Sequence, residues 1–187
     1  MSNPEFIVYC GPMFSSKTTS LLSTIDRFRY QNKKVAVFKP KMDGRYAEDF
    51  VCTHSGWKVQ AYCVKDGPDI LEKLSEMQDN PQVVAVDEAF MIPGVAKALV
   101  WLYRSGFSIV VSSLDLSATG KSFEEIEKIL PWATKVEKRS AVCVVCSKDA
   151  FYTYKKQSNG EEIEVGGDEL YESRCLKCHT HIFDHSR

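Results

Sequence analysis

The chain has 187 residues, 44% of them hydrophobic and 26% charged, with a formal net charge of -1. Those figures fit one globular domain plus a small appendage; they exclude wholesale disorder and any strong overall field for recruiting DNA, RNA or an acidic membrane. No stretch approaches the ~18 apolar residues that span a bilayer, and no basic region precedes an apolar run near Met1, so a cytoplasmic location is expected.

In chain order, Phe6-Ile7-Val8-Tyr9-Cys10 reads as a buried parallel strand stopped by Gly11-Pro12. Lys17 to Tyr30 reads as a helix, with Leu21, Leu22, Ile25 and Phe28 at helical spacing. Val35 to Phe38 is a second buried strand. From Lys41 to about Lys65 no clear period survives, and turn signals dominate. Ile70 to Met77 is a short helix, and Gln82 to Val86 a third strand ending on Asp87-Glu88. A helix over Val95–Tyr103, a β-branched strand over Phe107–Ser113, a helix over Phe123–Leu130 and a strand over Thr134–Lys138 follow. This alternation predicts an α/β fold, a parallel sheet with helices on both faces, over residues 1–139. Residues 140–187 are turn-rich and carry paired cysteines, so they form a second, small metal-held lobe.

Gly11-Pro12-Met13-Phe14-Ser15-Ser16-Lys17-Thr18 has the skeleton of a Walker A phosphate loop, between a buried strand and a helix as that loop requires. Backbone N–H groups at the helix start wrap an anion, Lys17 neutralises phosphate charge and the Thr18 hydroxyl ligates Mg²⁺. Ser16 stands where the pattern has glycine; a serine serves there if its backbone stays at negative φ. Asp87, at a strand's carboxyl end, is placed to hold the Mg²⁺ shell, and Glu88 to act on a water or a substrate hydroxyl. Taken alone, the loop could be a solvated helix start and the acidic pair a strand terminator. In register they indicate nucleotide chemistry without fixing the acceptor.

Seven cysteines include two matched pairs, Cys143-x-x-Cys146 and Cys175-x-x-Cys178, the spacing of a four-thiolate zinc site. Cys10, Cys52 and Cys63 are left as singles. The loop between the pairs, residues 147–174, is too long to order itself, and one zinc at its base removes much of its closure cost.

Gly11 to Thr18, Asp43-x-Arg45-Tyr46, Thr53-His54, Asp87-Glu88, Leu114-Asp115, Phe123, Gly166-Gly167, Tyr171 and the cysteine pairs together resemble the zinc-containing, cellular-type (type II) thymidine kinases, from about residue 6 to 178. The resemblance implies phosphoryl transfer from ATP, with Mg²⁺, to the 5′-hydroxyl of thymidine or deoxyuridine. It implies Glu88 as catalytic base, Lys17 and Arg45 as charges on the transferring group, and Gly11 to Thr18 with Asp87, Glu88, Ala89 and Phe90 around ATP. Met13, Met91, Leu114, Phe123 and Tyr171 would surround the nucleoside. Main-chain groups around Ile163, Val165 and Gly166, on a lasso held by Cys143, Cys146, Cys175 and Cys178, would bond the base. His179 is the alternative fourth zinc ligand, and a homodimer or homotetramer is implied. The chain departs from the family pattern where Asp-Glu-Gly-Gln-Phe becomes Asp87-Glu88-Ala89-Phe90-Met91, and where an aromatic slot holds Ala118. Competing readings are a nucleic-acid-dependent ATPase with a zinc ribbon and a zinc-stapled scaffold with a dead loop. Residues 147–174 hold more acidic than basic side chains, the wrong sign for gripping phosphates, so no nucleic-acid partner is expected.

Overall fold

Five apolar residues in a row need cover on both faces, and β1 (Phe6–Cys10) receives it: every residue is buried. The computed structural model of the chain describes residues 3–41, 50–53, 56–156 and 166–180. After β1 come α1 (Lys17–Tyr30), β2 (Val35–Pro40), a hairpin of β3 (Phe50–Cys52) and β4 (Lys58–Gln60), then β5 (Tyr62–Val64) and α2 (Gly67–Glu76). Next follow β6 (Val83–Val86), α3 (Val95–Arg104), β7 (Ser108–Ser113), α4 (Glu124–Ile129) and β8 (Lys135–Lys138).

Six strands form one parallel sheet in the order β5-β2-β6-β7-β1-β8. Alternate residues of each strand meet different layers. Phe6, Val8 and Cys10 join the core beneath α2, α3 and α4, while Ile7 and Tyr9 pack with Leu21, Leu22, Ile25 and Phe28 of α1. Those four α1 side chains are almost wholly buried, each contributing about 1.5–3 kcal/mol relative to exposure. Helices therefore cover both faces, as the alternation of elements predicts. The strand β5 escapes the sequence pattern because a three-residue edge strand, with Tyr62 half exposed, has too few residues to display a period.

The adjacent strands β1 and β7 send their chains to opposite faces, β1 into α1 and β7 towards α4. In a parallel sheet that divergence opens a crevice at the carboxyl ends, where ligands bind. Beyond β8 the chain forms two small antiparallel pairs, β9 (Ala141–Val142) with β10 (Asp149–Ala150), and β11 (Tyr152–Lys155) with β12 (Tyr171–Arg174). Among the described residues, no helix is long and apolar enough to cross a membrane.

Candidate active site

Because β6, β7 and β1 are parallel neighbours, Asp87-Glu88, Leu114-Asp115 and Gly11 all emerge at one edge of the sheet. The loop after β1 curls tightly. Lys17 is buried and its Nζ donates to the Pro12 carbonyl at 2.6 Å, while the Ser15 hydroxyl donates to the same carbonyl at 2.8 Å. Gly11, at φ 134, passes so close to the strand end at Arg139 that a Cβ would lie 2.4 Å from the Arg139 carbonyl oxygen. Ser16 does not hold the negative φ expected of it: at φ 60 and ψ 28 it is left-handed. The pattern's glycine position is thus left-handed here even though it holds a serine.

Left-handed backbone costs a side-chain-bearing residue about 1–2 kcal/mol. Among the described residues, Phe14, Ser16, Asn32, Asn80, Glu88 and Ser147 adopt positive φ. The asparagines tolerate it in turns. Phe14, Ser16 and Glu88 crowd this one site, as held strain tends to do where chemistry is positioned.

The Thr18 hydroxyl donates to the Asp87 carboxylate, 3.2 and 3.3 Å from its two oxygens. Asp87 is buried and its N–H is held by the Phe38 carbonyl at 2.9 Å. A hydroxyl and a carboxylate side by side are the hard oxygen donors that fit Mg²⁺. Burial drives the Lys17 ammonium below the ordinary lysine range, with Glu88, Asp87 and Asp115 opposing that shift in descending order. At β7 the Ser113 hydroxyl accepts the Phe90 N–H at 3.1 Å and donates to the Leu114 carbonyl at 2.9 Å, tying the segment after Glu88 to the next strand. Phe90 packs on Phe123 with ring centroids 4.7 Å apart, and Asp115 pairs with Lys138 at 2.7 Å. A polar cleft of about 260 Å³ adjoins the loop, lined in part by Ser16, Thr19, Ser20 and Arg139. Burial, then Asp115, pushes the Cys10 thiol upward.

Cys143, Cys146, Cys175 and Cys178 place their sulfurs within 4.8 Å of one another, with Cys146 and Cys175 at 3.6 Å. A tetrahedral zinc with ~2.3 Å bonds needs sulfurs about 3.8 Å apart, so the four fit that ion. Burial works to raise the Cys143 thiol, but N–H groups of Cys175, Val145 and Cys146 outweigh it and hold it at about 6. His179 stands outside the cluster. It is buried, its ring edge-on to Tyr154, and its Nε2 donates to the Thr153 carbonyl at 2.9 Å. The fourth sulfur position belongs to Cys178.

Two hydroxyls that the sequence did not single out touch the loop. The Met13 N–H donates to Thr153 Oγ1, and Ser173 Oγ donates to the Met13 carbonyl, each at 3.0 Å. Strand alternation was the available signal, since Thr153 lies between two tyrosines and faces inward with Ser173 opposite it. Lys39, buried at the end of β2, was likewise passed over. Among the expected nucleoside neighbours, Tyr171 is buried on β12, and Met91 and Leu114 are half-buried beside the acidic strand end. Gly166 opens the last described segment before β12. Arg45, His54, Ile163 and Val165 lie outside the described residues.

The structure thus joins a phosphate-type loop, a buried hydroxyl–carboxylate pair and a four-sulfur cluster in one chain. The thymidine kinase family model matches residues 5–179. That span runs from the residue before β1 to the buried histidine beside the last cysteine, so the chain belongs to the thymidine kinase family.

Proposed function

We propose that this chain transfers the γ-phosphoryl group of ATP to the 5′-hydroxyl of thymidine or deoxyuridine, yielding the nucleoside monophosphate. The observation that carries this reading is the Thr18 hydroxyl against the Asp87 carboxylate, with Glu88 next in the chain and Lys17 buried beside both. In this reading Gly11 to Thr18 wrap the β- and γ-phosphates with backbone N–H groups, and Lys17 leaves the Pro12 carbonyl to neutralise them. Thr18 and Asp87 would hold Mg²⁺, which when bound offsets the phosphate charge. Ala89 and Phe90 complete the nucleotide side.

Glu88 takes the proton from the 5′-hydroxyl as that oxygen approaches phosphorus, a role worth roughly 10²–10⁴-fold in rate. Arg45 adds positive charge at the transferring group. Met13, Met91, Leu114, Phe123 and Tyr171 enclose the nucleoside, and the main chain at Ile163, Val165 and Gly166 bonds its base. A phosphoryl-transfer unit at 1–139 and a zinc-held lobe at 140–187 divide these tasks, in a cytoplasmic homodimer or homotetramer. With Phe90 drawn onto Phe123, and Met91 and Ala118 in the two slots that are aromatic in the family pattern, the base pocket has two fewer aromatic walls, which favours tolerance of other pyrimidine bases.

The test is ATP-dependent phosphorylation of thymidine, deoxyuridine, deoxycytidine and deoxyguanosine by the purified protein, with Glu88→Gln alongside. Thymidine monophosphate should form, and its kcat should fall at least ~100-fold in the variant while MgATP still binds. Bound ATP with no phosphorylation of any nucleoside would sink the reading.

A further inference from the structure

The phosphate loop carries two side-chain-bearing residues in left-handed backbone, Phe14 and Ser16, so something outside the loop must hold it in shape. The small lobe is in position to do so. Its hairpin β11–β12 presents Thr153 and Ser173 as a directly opposed pair, both almost fully buried. Between them they take up both main-chain groups of Met13: the N–H into Thr153 Oγ1 and the carbonyl from Ser173 Oγ. A hydroxyl can accept and donate, so two facing hydroxyls complement one residue's N–H and C=O.

The same two residues are anchored from behind. The Val144 N–H, between the first two cysteines, donates to the Ser173 carbonyl at 3.1 Å, and His179 Nε2 donates to the Thr153 carbonyl. Phe14 packs against Ala141, Cys143 and Ala150. An unbroken line of contacts thus runs from the sulfur cluster through the hairpin to the loop.

We propose that Thr153 and Ser173 are positioning residues for ATP: they fix the Met13 peptide, and with it the orientation of the phosphate-binding N–H groups. This rests on the reading of residues 11–18 as the ATP phosphate loop. A loop set before binding spends none of the ligand's interaction energy on ordering, so its loss weakens affinity.

The test compares the double variant Thr153→Val/Ser173→Ala with Thr153→Ser/Ser173→Thr, which keeps both hydroxyls. Zinc content and melting temperature are checked first, so that a lost metal or an unfolded lobe is recognised. The apolar pair should weaken MgATP binding about tenfold or more by calorimetry, without nucleoside present, and speed hydrogen exchange at the Met13 amide. In kinetics KM for ATP should rise more than KM for thymidine, whose pocket the Met13 side chain also lines. The hydroxyl-keeping pair should bind MgATP within about threefold of the parent. Parent-like MgATP affinity in the zinc-loaded apolar pair, or equal losses in both pairs, would overturn the proposal. A parent protein that binds MgATP but phosphorylates no nucleoside refutes the kinase reading alone, and the binding comparison still decides this one. A parent that binds no MgATP overturns both.

Discussion

Ser16 sits in left-handed backbone with no hydrogen bond from its side chain capping α1. Its hydroxyl therefore recovers none of the strain, and glycine would carry none. Ser16→Gly should stabilise the protein by about 1 kcal/mol, seen as a higher melting temperature. A lower one would mean that the hydroxyl has work elsewhere. Gly11 is the mirror case, since a methyl group there collides with the backbone at Arg139. The sequence makes Lys17, Thr18 and Asp87 legible because their chemistry lies in the side chain and their spacing is fixed by the strand–loop–helix turn. It conceals the φ of Ser16, because a serine in the sequence gives no signal of left-handed backbone. It also conceals Thr153 and Ser173, whose partner Met13 lies far away in the chain and is reached only once the hairpin docks.

At the scale of elements, helices were the easiest to read and short strands the hardest. The four apolar side chains of α1 repeat over about two turns, whereas β5 has three residues and β9 and β10 have two each. Helix starts depend on caps more than on periodicity, so α2 begins at Gly67, ahead of its first apolar residue, Ile70. There Asp66 accepts the Asp69 N–H at 2.9 Å, and Pro68 occupies the first turn. Removing that acceptor with Asp66→Ala should cost about 1 kcal/mol, read from the midpoint of denaturant unfolding. An unchanged midpoint would show that the contact of α2 with α3, rather than the cap, sets where this helix starts.

For the molecule as a whole, the four sulfurs gather the chain at the ends of β9 and β12, whose two-strand pairs are too short to persist alone. The protein as isolated should contain one zinc ion per chain by elemental analysis. Chelation, or Cys146→Ser, should lower the melting temperature and expose β11 and β12 to protease. Metal removal with neither effect would show that the lobe stands without its ion.

The place of β1 in the sheet has a consequence for how the chain comes to be folded. It is made before every other strand of its sheet, yet it lies between β7 and β8, with Phe6 beside Ile109 and Ile7 beside Lys135. Neither neighbour exists until the chain has passed through α1, α2 and α3, and Thr153 and Ser173 come later still. During synthesis β1 must wait, apolar and unpaired by these neighbours, until β7 has been made. The loop at Gly11–Thr18, made before Thr153 and Ser173, therefore takes its final shape late, and a chain cut short before β11 would lack both hydroxyls that clasp it.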